Sequence, residues 1–155
     1  MKKFGGLVAA LMLSLSGLVA IASPASAEVK TPGPWELWTK EACQSLAPKP
    51  VLWKRLQEKS GSGAVQGRLY VYQSKKWVCA YVVDRLPGAH EMHLYATADF
   101  NDGTGWSARD TGTYDQYAGA LAYRVPKNWP LKLDFRFSAF LRVGHTGYGR
   151  DWTFG

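Results

Sequence analysis

Apolar and polar residues exchange along this chain at short intervals that suit strands better than helices. The densest stretch reads Arg68-Leu-Tyr-Val-Tyr72, then a polar break at Gln73-Ser-Lys-Lys76, then Trp77-Val-Cys-Ala-Tyr-Val-Val-Asp84. Both runs are rich in β-branched and aromatic residues, and the break is short enough only for a hairpin, so two adjacent antiparallel strands are predicted. Aliphatic Leu69, Val71, Val78, Ala80 and Val82 share these strands with aromatic Tyr70, Tyr72, Trp77 and Tyr81. Strands that are apolar on both faces lie centrally in a sheet and are covered on each side. Register then decides where the rings go. A two-residue turn at Ser74-Lys75 sets Tyr72 opposite Trp77 and Tyr70 opposite Cys79, which gathers all four rings on one side, whereas a three-residue turn splits them between faces.

Elsewhere the pattern is cleaner. Glu91 to Asp99 sets Met92, Leu94, Ala96 and Ala98 against His93, Tyr95, Thr97 and Asp99, and Leu131 to Ser138 sets Leu131, Leu133, Phe135 and Phe137 against polar partners. Each is a strand with one face in the core and one in water. Val51 to Gln57 suits a first strand, although its spacing also fits a helix. Trp106 to Arg109 is expected to be a short strand, and Tyr117 to Val125 a further one that ends at Pro126. The tail Gly144 to Gly155 either docks through Trp152 and Phe154 or forms an edge strand. Thr31-Pro-Gly-Pro34 is a stiff linker, and Trp35 to Cys43 is expected to form a short helix or turn with Trp35, Trp38 and Ala42 on one side. Loops are expected over Glu58 to Gly67, Arg85 to Gly88 and Asn101 to Gly105. Six or seven strands joined by Gly and Pro turns predict an all-β domain, an antiparallel β-sandwich or a partly closed barrel.

The N-terminus changes the picture of compartment. Met1-Lys-Lys3, an apolar run from Leu7 to Ile21 and Ala25-Ser-Ala27 have the order of a secretory signal, so residues 1–27 are set apart and 28–155 is read as a single secreted β-domain. No stable membrane insertion is expected once the signal is cleaved. The whole chain carries a formal charge of +7, of which Lys2 and Lys3 supply two, leaving +5 after residue 27. That excess favours anionic surfaces, but its cations are scattered, and no nucleic-acid partner is expected. Cys43 and Cys79 are the only cysteines, which in an oxidising compartment predicts one disulfide. Closing that loop stabilises a fold by about 3–4 kcal/mol.

Candidate chemistry is sparse. His90 and His93 stand three apart, a spacing that on a strand points them to opposite faces, so no metal site is expected. Asp99-Phe-Asn-Asp-Gly103 has the residue types of a calcium loop at the wrong spacing. Gly105-Trp-Ser107 lacks the second glycine of a nucleophile elbow. Asp110, Asp115 and Asp134 are the carboxylates from which a hydrolytic pair would have to come. No catalytic residue and no cofactor is assigned. The aromatic load is the more distinctive feature, since all seven Trp and all eight Tyr follow residue 27. Tyr70, Tyr72, Trp77, Tyr81 and Tyr95 form the candidate binding surface, with core packing as the competing role for the hairpin rings and Tyr95 beside His93 as a rival exposed patch. Cys79 belongs with the hairpin rings, and its bridge argues that their side is core.

Cys43, the Leu69-Tyr-Val-Tyr72 and Val78-Cys79 pair of runs and Asp110-Thr-Gly-Thr-Tyr-Asp-Gln-Tyr-Ala-Gly119 together resemble small secreted actinobacterial proteins similar to spore-associated protein A. The resemblance implies a β-rich secreted protein at the cell or spore surface with no known catalysis. The last of these segments also reads physically as a corner, with Asp110 accepting backbone N–H groups, Gly112 and Gly119 allowing turn conformations, and Tyr114 and Tyr117 bracing it. The expected function is non-catalytic attachment to an envelope polymer or surface protein. The alternatives are a small secreted hydrolase using a carboxylate pair and a secreted inhibitor or toxin, for which Arg85-Leu-Pro-Gly88 is the short loop available.

Overall fold

A computed structural model describes residues 28–57, 63–100, 104–127 and 134–154. The expected signal segment, the Ser60-Gly-Ser loop, Asn101-Asp-Gly103, and Leu131 and Leu133 lie outside the described residues.

The chain is an antiparallel β-sandwich of two five-stranded sheets. Its strands are β1 (Glu28–Lys30), β2 (Trp35–Leu37), β3 (Leu52–Leu56), β4 (Gly67–Gln73), β5 (Trp77–Asp84), β6 (His90–Asp99), β7 (Gly105–Tyr114), β8 (Tyr117–Arg124), β9 (Asp134–Val143) and β10 (Thr146–Phe154), with one short helix, α1 (Lys40–Gln44). One sheet runs β1-β7-β6-β9-β10 and the other β2-β8-β5-β4-β3. The sheets do not close into a barrel. Among the described residues ten strands stand where six or seven are expected: β1 and β2 are three residues each, too short to carry a period, and the tail adds β10.

Between the sheets lies the main core. From the second sheet it takes Leu56, Leu69, Val71, Val78, Ala80, Val82, Leu121 and Tyr123, and from the first Met92, Leu94, Ala96, Ala98, Phe135, Phe137, Ala139 and Leu141. These are the alternate positions of strands that each keep one face inward, and their removal from water supplies the main driving force of the fold. Trp35 closes one end: its ring meets Tyr123 edge-on at 5.0 Å, and its indole N–H donates to the Trp106 carbonyl of the opposite sheet at 2.9 Å.

Trp35 and Trp38 correct one expectation. Trp35 opens the strand β2 and Trp38 follows its end, and they part company: Trp35 enters the main core, while Trp38 joins the outer face of the second sheet against Trp77, ring centroids 4.6 Å apart. The helix begins only at Lys40, where Thr39 caps it by accepting the Ala42 N–H at 3.1 Å. The interval from Val51 to Gln57 holds the strand β3, Leu52–Leu56, and the tail forms the edge strand β10.

A second correction concerns β7, which runs ten residues and takes in the first half of the segment read as a corner. Its inward positions after Arg109 hide its length, since Asp110 and Gly112 lie opposite Leu94 and Met92 where a sandwich strand would ordinarily place aliphatics. The corner itself is shorter. Asp115 and Gln116 carry the chain from β7 in one sheet to β8 in the other. Gly119 has φ of 96°, a left-handed value that favours glycine, whereas Gly112 lies within the strand and has no positive φ.

Candidate functional site

The β4–β5 register is neither of the two anticipated. Tyr72 pairs with Cys79 and Tyr70 with Tyr81, because the turn is shifted by one residue to Lys75-Lys76; the Ser74 N–H closes it by donating to the Trp77 carbonyl at 2.8 Å, and the Ser74 hydroxyl accepts N–H groups from Lys76 and Trp77. Directly opposed residues share a face, so Tyr70, Tyr72, Trp77, Cys79 and Tyr81 all point outward from the second sheet. They form a small cluster of their own with Cys43, Ala120 and Ala122, covered in part by α1. The Cys43–Cys79 disulfide ties the helix down onto that face, with Cα atoms 5.6 Å apart. Cys79 therefore belongs to an outer cluster, and Val78, Ala80 and Val82 face the main core instead.

Burial sorts the candidate surface. Tyr81 and Tyr72 are buried, at 1% and 7% exposure, while Tyr70 and Trp77 are half-buried at the cluster's margin. Tyr81 stacks near Tyr70 and Tyr72 at 5.4 and 6.0 Å, and its hydroxyl accepts the Gln44 side-chain N–H at 2.8 Å. Burial pushes the Tyr81 phenol well above its usual range, Tyr72 adds to the rise, and the Gln44 bond opposes it. Two of the five residues are thus packing, with no face left for a ligand. Tyr95 lies on the other sheet's outer face at 39% exposure, beside His93 at a ring separation of 6.1 Å.

The second sheet's aromatic row extends further than the hairpin. Trp53 of the edge strand β3 pairs with Tyr70, which pairs with Tyr81, so rings run from the buried centre out to the sheet edge. At that edge Trp53 is 47% exposed. Two guanidinium groups lie over its ring, Arg55 and Arg68, each 5.6 Å from the centroid. Arg68 also donates to the Tyr70 hydroxyl at 3.4 Å, and its Nε is buried with no hydrogen-bond partner among the described residues. A hollow of about 330 Å³ opens beside Trp53, where β3 of one sheet lies next to β10 of the other, and Lys54, Arg55, Gln57, Arg150 and Trp152 line it. Among the described residues that line it there is no acid. Trp53 is not among the residues the sequence marks out as a site, although its signal is there: a Trp on the polar phase of a strand, followed by Lys54-Arg55.

Other hollows are less pointed in their chemistry. One of about 670 Å³ lies between α1 and β2, walled by Leu37, Trp38, Leu46 and Trp77. Another, of about 470 Å³, holds Asp110 and Asp115 together with Tyr114 and Tyr117, while Asp134 sits apart on β9 opposite Asp99. Asp110 is 2% exposed and both its oxygens are engaged: one accepts the Tyr114 hydroxyl, and the other accepts the Gly119 N–H at 2.6 Å. Burial and then the Asp110 carboxylate raise the Tyr114 phenol well above its usual range. Asp84, the other buried acid, accepts the Leu86 N–H at 2.8 Å and pairs with His90 Nδ1, locking the β5–β6 connection.

His93 Nε2 lies 2.9 Å from Glu91, on the opposite face of β6 from His90. Ser107 exchanges a hydrogen bond with Thr97 at 3.0 Å on an open strand face. Among the described residues no three His, Cys, Asp or Glu side chains gather as a metal site, and no helix is long and apolar enough to cross a membrane. No protein-family model, no curated protein and no solved structure matches this chain.

Proposed function

We propose that this chain is an exported, non-catalytic binding protein of the cell envelope, and that it binds through the β3–β10 edge. The observation that carries the reading is Trp53: a large ring at 47% exposure, held under two guanidinium groups beside a concave hollow whose described lining includes Lys54, Arg55 and Arg150. Exposed aromatics fixed in place with convergent polar groups are what a binding site requires. Export is supported by the signal-like N-terminus and agrees with the disulfide. Attachment to the cell or spore surface is supported by the resemblance carried on Asp110 to Gly119.

The non-catalytic half of the proposal draws support from the two buried acids, Asp84 and Asp110, each of which braces a chain connection with its own hydrogen bonds. Sedimentation of the purified mature protein with isolated envelope fractions tests the reading. Binding that is lost in Trp53→Ala, with the melting temperature unchanged, is the expected result. Equal binding by Trp53→Ala would move the site elsewhere, and no binding to any fraction would end the proposal.

A further inference from the structure

We infer that the ligand of the β3–β10 edge is an anionic glycopolymer, one that presents sugar rings together with phosphate or carboxylate groups, and this inference rests on the binding role just proposed. The hollow sets two indole rings, Trp53 and Trp152, among Lys54, Arg55 and Arg150, with Arg68 also over the Trp53 ring. Among the described residues Lys54, Arg55 and Arg68 form no ion pair, so their charges are available to a ligand. By contrast, acids meet the cations of the opposite sheet's outer face: Arg109 with Glu28, Arg142 with Glu91, and Arg136 with Asp99.

The two kinds of group ask for different things. An indole face offers a flat apolar surface to the C–H face of a ring, and a guanidinium presents a planar fork that matches phosphate or carboxylate oxygens. A neutral glycan would use the rings and leave the cations idle, while a simple polyanion would use the cations and leave the rings wet. Arg68 favours the mixed ligand, because its guanidinium carbon lies 5.6 Å from the centroid of the exposed Trp53 ring and so sets a cation and a stacking face side by side. The geometry is also suited to a polymer, since the hollow is open and lies along a strand edge instead of closing around a small molecule.

Binding to three immobilised polymers tests the inference: one with a phosphodiester-linked sugar backbone, one a uronic-acid polymer, and one neutral glucan. The inference expects binding to at least one anionic polymer, weakened about tenfold between low and physiological salt, and weakened about tenfold again by the Arg55→Gln/Arg68→Gln double variant or by Trp53→Ala. Which anionic polymer binds more tightly identifies the anion. Two results overturn it while leaving the binding role intact: tighter, salt-insensitive binding to the neutral glucan, or binding to whole envelope with full affinity in the arginine double variant. Failure to bind whole envelope at all overturns the role and the inference together. Arg55→Lys/Arg68→Lys separates charge from fork geometry, and melting curves of every variant show that a loss belongs to the site.

Discussion

The Asp110 carboxylate on β7 accepts the backbone N–H of Gly119 on β8, across the point where the chain passes from one sheet to the other. A buried acid in that position is costly unless its oxygens are satisfied, and Tyr114 satisfies the second one. Asp110→Ala is expected to leave the Gly119 N–H unpaired and to destabilise the fold by about 2–4 kcal/mol. Tyr114→Phe, which leaves the backbone bond in place, is expected to cost about 1 kcal/mol. Denaturant titration of both variants checks the order, and a smaller loss for Asp110→Ala than for Tyr114→Phe would show that the backbone bond is not the main brace.

Gly119 itself offers a second measurement. A Cβ there would sit 3.0 Å from the Ala80 carbonyl oxygen and 2.9 Å from the Leu94 side chain, at a φ that side chains rarely adopt. Gly119→Ala is expected to lower stability by more than about 2 kcal/mol. Gly88 has φ of 94° but meets nothing within 4 Å, so Gly88→Ala bears the backbone strain alone. Its cost is expected to be about 1 kcal/mol, and equal losses in the two variants would remove the steric contribution.

The disulfide joins the helix to an outer face that is already sheet-paired, so its loss should loosen α1 more than the sandwich. Cys43→Ser/Cys79→Ser is expected to lose about 2–4 kcal/mol while keeping the β-type far-ultraviolet spectrum. Faster hydrogen exchange should appear at Ala42 to Leu46 and leave β6 and β9 protected. Two alkylatable thiols in the native protein would contradict the bridge itself.

Three phenols set an alkaline limit. Burial raises Tyr81, Tyr114 and Tyr123 above their ordinary value of 10.0. The folded state therefore keeps protons that the unfolded state gives up above about pH 10. Their contribution is fully present below that pH and is lost as pH rises toward the folded-state values. Absorbance of tyrosinate during alkaline titration should show these three rings ionising only together with unfolding, and Tyr81→Phe should unfold at higher pH than the parent when the two are matched for stability at neutral pH. Smooth titration of all eight Tyr near pH 10 with the fold intact would refute this.

Much of the sandwich is legible in the sequence, for reasons that particular residues make plain. Glu91 to Asp99 alternates so regularly that β6 could be drawn nearly to its ends, and Trp77 to Asp84 matches β5. The sequence pattern of β7 stops short of its true end because Asp110 and Gly112 break the apolar rhythm at inward positions, and only the partners across the corner explain why an acid is there. Hairpin register was open for the same kind of reason: both faces are apolar, so no slip carries a polar residue into the core. Trp53 escaped notice because a single exposed ring has no period. It becomes a site residue only when β4 brings Arg68 over it and the sandwich brings β10 alongside.

The order of the strands has a consequence for how the protein comes into being. The chain changes sheets four times, and β1 must wait for β7, its partner some eighty residues later, with Glu28 set opposite Thr111. Neither sheet can be completed until nearly the whole chain is present, so no half of the sandwich is a stable body and folding is governed by late, distant pairings. A polypeptide that threads through a membrane must do so before it folds. Under the export proposed above, interleaved sheets give the chain time: its native contacts are the kind that form slowly, and the bridge between Cys43 and Cys79 adds its constraint only where oxidation is permitted.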